Sequence, residues 1–174
     1  MTKTKVIIDV SDANVSNNPA DVLVTYALGS CIGICLYDPT VNVGGMLHYQ
    51  LPDSKMDPDR AKKLPFMFAD TGVDMLVKKL VSMGANKKRL QVKIAGGAAM
   101  STGPKGFDIG KRNHLAIRKI MWKNGLFIDG EDVGGSNPRN MFLNMASGDV
   151  TIRTCGLEKK LYEAVFVTEI YDGS

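Results

Sequence analysis

Residues 25–51 read TYALGSCIGICLYDPTVNVGGMLHYQL. The alternation running into this stretch from residue 22 predicts a strand over 22–27, with Val22, Val24 and Tyr26 on one side and Leu23, Thr25 and Ala27 on the other. Gly29-Ser30 breaks the run. Residues 31–37 resume as an apolar strand, Asp38-Pro39-Thr40 turns the chain, and residues 43–51 form a further strand that puts Gly44, Met46, His48 and Gln50 on one face. Three strands with short connections predict a β-meander over residues 22–51. The stretch also holds two of the three cysteines and one of the two histidines.

Outward from it, residues 5–10 read as a first strand and residues 11–19 as a polar turn region ending in Asn17-Asn18-Pro19. After a polar loop over 52–58, helical periodicity predicts a helix over 60–69 that Pro65 interrupts. A second helix follows through Met83, with Asp70-Thr71 as its cap and Gly84 as its stop. Residues 89–95 form a strand that exits tightly through Gly96-Gly97. After a loop over 101–106, Asp108 caps a third helix over 109–123. Strands return over 126–132, 139–144, 149–155 and 164–171. Strands, then helices, then strands define an α+β chain with a layered sheet core, read as one domain over residues 1–174.

Composition narrows the function classes. With 44% hydrophobic and 23% charged residues, the 174-residue chain has ordinary globular composition. A net charge of +4 without a basic run interleaved with aromatics gives no ground for nucleic-acid binding. Lys87-Lys88-Arg89 reads as a solvated turn. No apolar run reaches the length of a membrane span, and the N-terminus lacks the features of a secretory signal. Three cysteines in such a chain point to reduced thiols and a cytoplasmic location.

Among those thiols, Cys35 lies inside an apolar strand and Cys155 ends another, so both read as buried. Four extended residues at about 3.3 Å each place Cys31 and Cys35 roughly 13 Å apart, too far for a disulfide. The cysteine and histidine spacing matches no zinc pattern, and Gly96-Gly97 matches no nucleotide motif. His114, in the third helix, reads as a packing or surface residue. Cys31 differs because Gly29 and Ser30 leave its thiol accessible, and because a turn there can aim main-chain N–H groups at one point. His48 is the candidate base.

Leu28-Gly29-Ser30-Cys31, Cys35-Leu36-Tyr37-Asp38, Gly44-Gly45-Met46 with His48, and Leu51-Pro52 together resemble the signature of the CheD family, chemoreceptor glutamine deamidases of bacterial and archaeal chemotaxis. The resemblance continues through Lys93-Ile94-Ala95-Gly96-Gly97-Ala98, the helix start Ile109-Gly110-Lys111-Arg112-Asn113, Asp132-Val133-Gly134-Gly135 with Arg139, and Gly148-Asp149-Val150. Two features depart from the family pattern: Ala95 stands where phenylalanine is usual, and Ser136-Asn137-Pro138 where a glycine often precedes the arginine.

The resemblance implies a layered α/β/β sandwich similar to the catalytic domain of cytotoxic necrotizing factors. It implies a catalytic set of Cys31 as nucleophile, His48 as general base and acid, and Thr25 orienting His48, with Gly29 and Ser30 lining the substrate site. The expected mechanism is attack by a Cys31 thiolate, paired with a His48 imidazolium, on a receptor glutamine, giving a thioester that water hydrolyses. No cofactor or metal is required. The implied partners are chemoreceptors and a CheC-like phosphatase of CheY. The competing reading is an adaptor that binds CheC and receptors without chemistry.

Overall fold

The computed structural model of the chain describes residues 2–99 and 108–162. Among the described residues, ten strands form two five-stranded sheets. The first contains β1 (Thr4–Ile7), β3 (Asp21–Leu28), β8 (Arg139–Asn144), β9 (Val150–Thr154) and β10 (Leu157–Leu161), in the order β1-β3-β8-β9-β10. The second contains β2 (Asp12–Ser16), β5 (Val43–Tyr49), β4 (Ile32–Asp38), β6 (Gln91–Gly96) and β7 (Gly130–Val133), in the order β2-β5-β4-β6-β7. Three α-helices are described: α1 (Pro58–Lys63), α2 (Ala69–Ser82) and α3 (Ile109–Lys123).

Strand periodicity sorts the apolar residues into two cores. From the second sheet, Ile34, Leu36, Val43, Leu47, Val92 and Ile94 pack against Val73, Leu76 and Leu80 of α2 and Ile117 and Met121 of α3. The alternate residues Cys35, Tyr37, Met46 and Ala95 turn the other way and meet Leu23, Met141, Leu143 and Ile152 of the first sheet. The second sheet is thus covered on both faces, which is why β4 and β5 are buried at every residue.

The structure revises the β-meander. β4 and β5 form the expected hairpin, with Gly33 opposite His48 and Ile32 opposite Tyr49. β3, however, belongs to the first sheet and pairs with β1 and β8. Residues 29–31 therefore cross between the sheets instead of making a hairpin turn. The physical reason is that their carbonyls bond to distant groups: Ala98 N–H donates to Gly29 O at 2.8 Å, Asn113 Nδ2 to Ser30 O at 2.9 Å, and Gly97 N–H to Cys31 O at 2.9 Å.

Other differences are local. Residues 12–16 are a strand paired with β5, not part of a turn. Pro65 ends the first helix at Lys63 and starts a short 3-10 turn over Pro65–Met67. Asp70 and Thr71 lie inside α2, whose cap position is Phe68 without a side-chain bond. Asp70 instead accepts from the Ser54 N–H at 2.9 Å, and the Thr71 hydroxyl donates to Pro65 O. Asp108 caps α3 as expected, accepting from Lys111 N–H at 3.0 Å. Arg89 is not merely solvated, since its guanidinium holds the fully buried Asp38 at 2.8 Å. Cys155 is exposed rather than buried, because it sits in the turn between β9 and β10 with φ of 51°. The loop over 101–106 and the strand over 164–171 lie outside the described residues.

Candidate active site

Cys31, His48 and Thr25 come from three successive strands or their ends, and the two sheets bring their surroundings together. Side chains of directly opposed residues share a face, so His48 projects with Gly33 into the space between the sheets. Gly33 offers no side chain there, and a methyl group would press on Leu28 and Met141. Cys31 lies two residues before Gly33, just beyond the start of β4, and packs against the same inter-sheet core. Thr25 reaches His48 from the opposite sheet.

The Thr25–His48 contact fixes the imidazole tautomer. Thr25 Oγ1 lies 2.7 Å from His48 Nδ1 and 2.8 Å from the Ile8 carbonyl oxygen. A carbonyl only accepts, so the one hydroxyl proton of Thr25 is donated to Ile8. The hydroxyl oxygen then accepts from Nδ1–H. The proton resides on Nδ1, and Nε2 presents its lone pair. Thr25 and His48 are 0% and 1% exposed, so water does not compete for this arrangement. Nε2 is buried and makes no hydrogen bond to a described residue. A free basic lone pair in a dry site is what a general base needs before substrate arrives.

Burial sets the resting charges. It lowers the His48 pKa to about 4, against a smaller upward pull from nearby Asp9. Burial also raises the Cys31 thiol above the usual cysteine range, and its own main-chain N–H opposes this more weakly. Near neutral pH both groups are therefore neutral. This departs from the preformed thiolate–imidazolium pair expected from sequence, and the reason is that a dry pocket penalises both charges. The alkylation rate of Cys31 by iodoacetamide is expected to be lower than that of free cysteine near neutral pH. It should climb about tenfold per pH unit through and beyond the ordinary thiol range, as a raised thiol pKa dictates. A rate that stays flat from about pH 5 to about pH 8 would show a preformed ion pair instead.

The remaining candidates separate from this centre. Cys35 is 2% exposed, and burial drives its pKa well above the ordinary thiol range despite the opposing Lys93 charge. His114 Nε2 lies 3.2 Å from Oε2 of the exposed Glu131. All three cysteines are free. Among the described residues, no group of three or more His, Cys, Asp or Glu side chains lies close enough to hold a metal ion, and no helix is long and apolar enough to cross a membrane.

Sequence reasoning did not single out the parts that hold the centre in place. The Ile8 carbonyl and Asn113 carry no local motif for such a role. Gly97 and Ala98 belong to the strand end that carries part of the family resemblance, but nothing in the sequence assigns their N–H groups to the carbonyls of Cys31 and Gly29. Asn113 is a fully buried asparagine on an amphipathic helix. The available signals are a polar residue on the apolar side of that helix and its place in the helix start that resembles the family, neither of which gives it a role.

A covered two-sheet α+β scaffold that carries a half-buried thiol and a tautomer-fixed imidazole has the side chains of the class of protein that performs cysteine-based acyl transfer. Comparison with known proteins narrows this. Residues 50–154 match the family model described as "CheD chemotactic sensory transduction". A Solibacter usitatus protein named probable chemoreceptor glutamine deamidase CheD is 50% identical over 157 residues, covering 90% of this chain and 93% of its own. A Syntrophus aciditrophicus protein named probable chemoreceptor glutamine deamidase CheD 1 is 50% identical over 151 residues, covering 87% and 94%. This chain belongs to the CheD family. A solved Neisseria meningitidis protein of the DUF152 family overlays 77% of this chain and 63% of its own, at 11% identity and a TM-score of 0.42, a likeness too slight to carry argument.

Proposed function

We propose that this protein is a chemoreceptor glutamine deamidase that uses Cys31 as nucleophile, His48 as general base and acid, and Thr25 to orient His48. The observation carrying this reading is the doubly committed Thr25 hydroxyl, which donates to Ile8 O and so leaves the His48 Nε2 lone pair free. The family relatives named for this activity supply the substrate class. An adaptor surface would gain nothing from a buried imidazole held in one tautomer, so the non-enzymatic reading is not favoured. Engagement of a CheC-like partner is compatible with the enzyme reading. So is a kinship with cytotoxic necrotizing factor catalytic domains, which the α/β/β layering would accommodate.

The steps follow from the resting charges. The Cys31 sulfur attacks the side-chain carbonyl carbon of a glutamine as the S–H proton passes to His48 Nε2. The new S–C bond pushes the carbonyl electrons onto oxygen. Main-chain N–H groups at Ser30 and Cys31 stabilise that oxyanion. The imidazolium, held by the Thr25 oxygen, then protonates the departing nitrogen. The C–N bond breaks, ammonia leaves and a thioester remains. Water attacks the thioester while giving its proton to Nε2. Collapse releases glutamate, and the proton returns to Cys31. A hydroxyl partner stabilises the imidazolium less than a carboxylate would, so modest turnover is expected.

The test is mass spectrometry of a soluble chemoreceptor fragment incubated with this protein. A glutamine converted to glutamate, together with an acyl adduct trapped on the Cys31 peptide at early times, is the expected result. Conversion with the adduct on Cys35 or Cys155, or no conversion of any tested receptor fragment, would overturn the reading.

A further inference from the structure

We propose that Asn113 is a positioning residue that aims the Cys31 main-chain N–H at the oxyanion; this rests on Cys31 being the nucleophile. Asn113 lies in the second turn of α3 and is 0% exposed. Its Nδ2 donates to Ser30 O at 2.9 Å and to Gln50 O at 2.8 Å. Two carbonyl partners identify the nitrogen end of the carboxamide without ambiguity, since only the amide nitrogen can donate to both. One side chain thus joins the crossover before the nucleophile to the end of the strand that carries His48. Tyr49 completes the tie, its hydroxyl donating to the Asn113 main-chain oxygen at 2.8 Å.

Peptide geometry turns this tie into an aim. In a trans peptide the C=O and N–H point in opposite directions. Pulling Ser30 O toward α3 therefore directs the Cys31 N–H away from α3. That N–H belongs to the nucleophile's own residue, so the oxyanion formed next to the Cys31 sulfur lies within its reach. Ala98 N–H acts in parallel on Gly29 O, directing the Ser30 N–H. Main-chain bonds hold Gly29 O and Cys31 O, whereas the middle carbonyl depends on the Asn113 side chain.

Deamidation and alkylation separate this role from simple support of the fold. Amide attack generates an oxyanion; displacement by iodoacetamide at a saturated carbon does not. In Asn113→Ala, kcat on a receptor fragment that the wild type deamidates is expected to fall about 10²- to 10³-fold, the loss typical of one oxyanion donor. KM should stay within about twofold of wild type, and so should the alkylation rate of Cys31 once the pH is high enough for the thiol to be fully ionised, where that N–H no longer sets the thiolate fraction. Asn113→Asp, which keeps the shape but replaces the donor with an acceptor, should show the same split if the alanine variant does not fold. A folded variant that retains kcat within about threefold overturns the proposal, as does a parallel fall of kcat and alkylation, which would mark Asn113 as structural. Cys31→Ala serves as the control: activity surviving in it removes the nucleophile reading itself, whereas an inactive Cys31→Ala beside a fully active Asn113→Ala removes only the role of Asn113.

Discussion

Cys31→Ala is expected to abolish deamidation of chemoreceptor glutamines, with a loss of at least about 10⁴-fold in kcat, because removing the proposed covalent nucleophile eliminates the reaction path rather than weakening it. The variant should fold. Cys31 is half-buried and only borders the inter-sheet core, so replacing its sulfur with hydrogen removes little packing. The anchors of this segment are the carbonyls of Gly29, Ser30 and Cys31, which alanine retains. A thermal midpoint near that of the wild type with no activity therefore isolates chemistry from fold. The measurement is conversion of receptor glutamine by wild type and variant at equal concentration, read by mass spectrometry. Residual conversion above about one part in 10³ would mean that another group attacks the amide, or that water does so directly with His48 as base. Cys35 is a poor substitute, since burial raises its thiol pKa and the surrounding core excludes substrate.

The hairpin that carries His48, the proposed base, was legible because β4 and β5 alternate cleanly and their turn residues are strong signals. Gly44, Met46 and His48 share a face as their spacing indicates. The crossing of residues 29–31 between sheets was not legible. It depends on donors as far as 83 residues away, and a turn of Gly and Ser looks the same locally whether it closes a hairpin or bridges two sheets. β2 was missed for a related reason. Its partly buried apolar residues, Ala13 and Val15, are too few to outweigh three polar neighbours, and pairing with β5 supplies what propensity does not. β10 reads LEKKL and carries the charges that keep an edge strand from further pairing, so its composition argued against a strand.

Within the site, residue identities outran geometry. Family resemblance implied Thr25, Cys31 and His48, but no sequence pattern could show that the Thr25 proton is spent on Ile8. That single bond decides which imidazole nitrogen is basic. Nor could it show that burial disfavours the ion pair. The charges of a Cys–His pair follow from solvent exclusion, which depends on both sheets and is absent from the local sequence.

Gly96→Ala is expected to combine a large stability loss with a large activity loss, and it tests how rigidly the nucleophile is held. Gly96 ends β6 with φ of 111°, a conformation that a side chain strains. A methyl group there would also collide with the Cys31 carbonyl oxygen. That oxygen accepts from Gly97 N–H at 2.9 Å, so the backbone of β6 and the nucleophile are in contact where the methyl must go. Backbone strain of about 1–3 kcal/mol adds to the cost of displacing a main-chain hydrogen bond. A total near 3 kcal/mol would lower Tm by roughly 6–12 °C in a domain of this size. Relief of the collision must move either β6 or Cys31. Because Cys31 sits in a connecting segment and β6 is paired on both edges, Cys31 yields. A displacement of the nucleophile by about 1 Å costs on the order of 10²-fold in rate. The two losses should also separate: stabilising osmolytes raise the Tm of Gly96→Ala without restoring kcat, since they favour the compact state but do not remove the methyl group. A variant within about 2 °C of wild type that keeps kcat within about threefold would show that the contact between β6 and Cys31 is soft. The aim of the Cys31 N–H would then have to come from the Asn113 side of the turn alone.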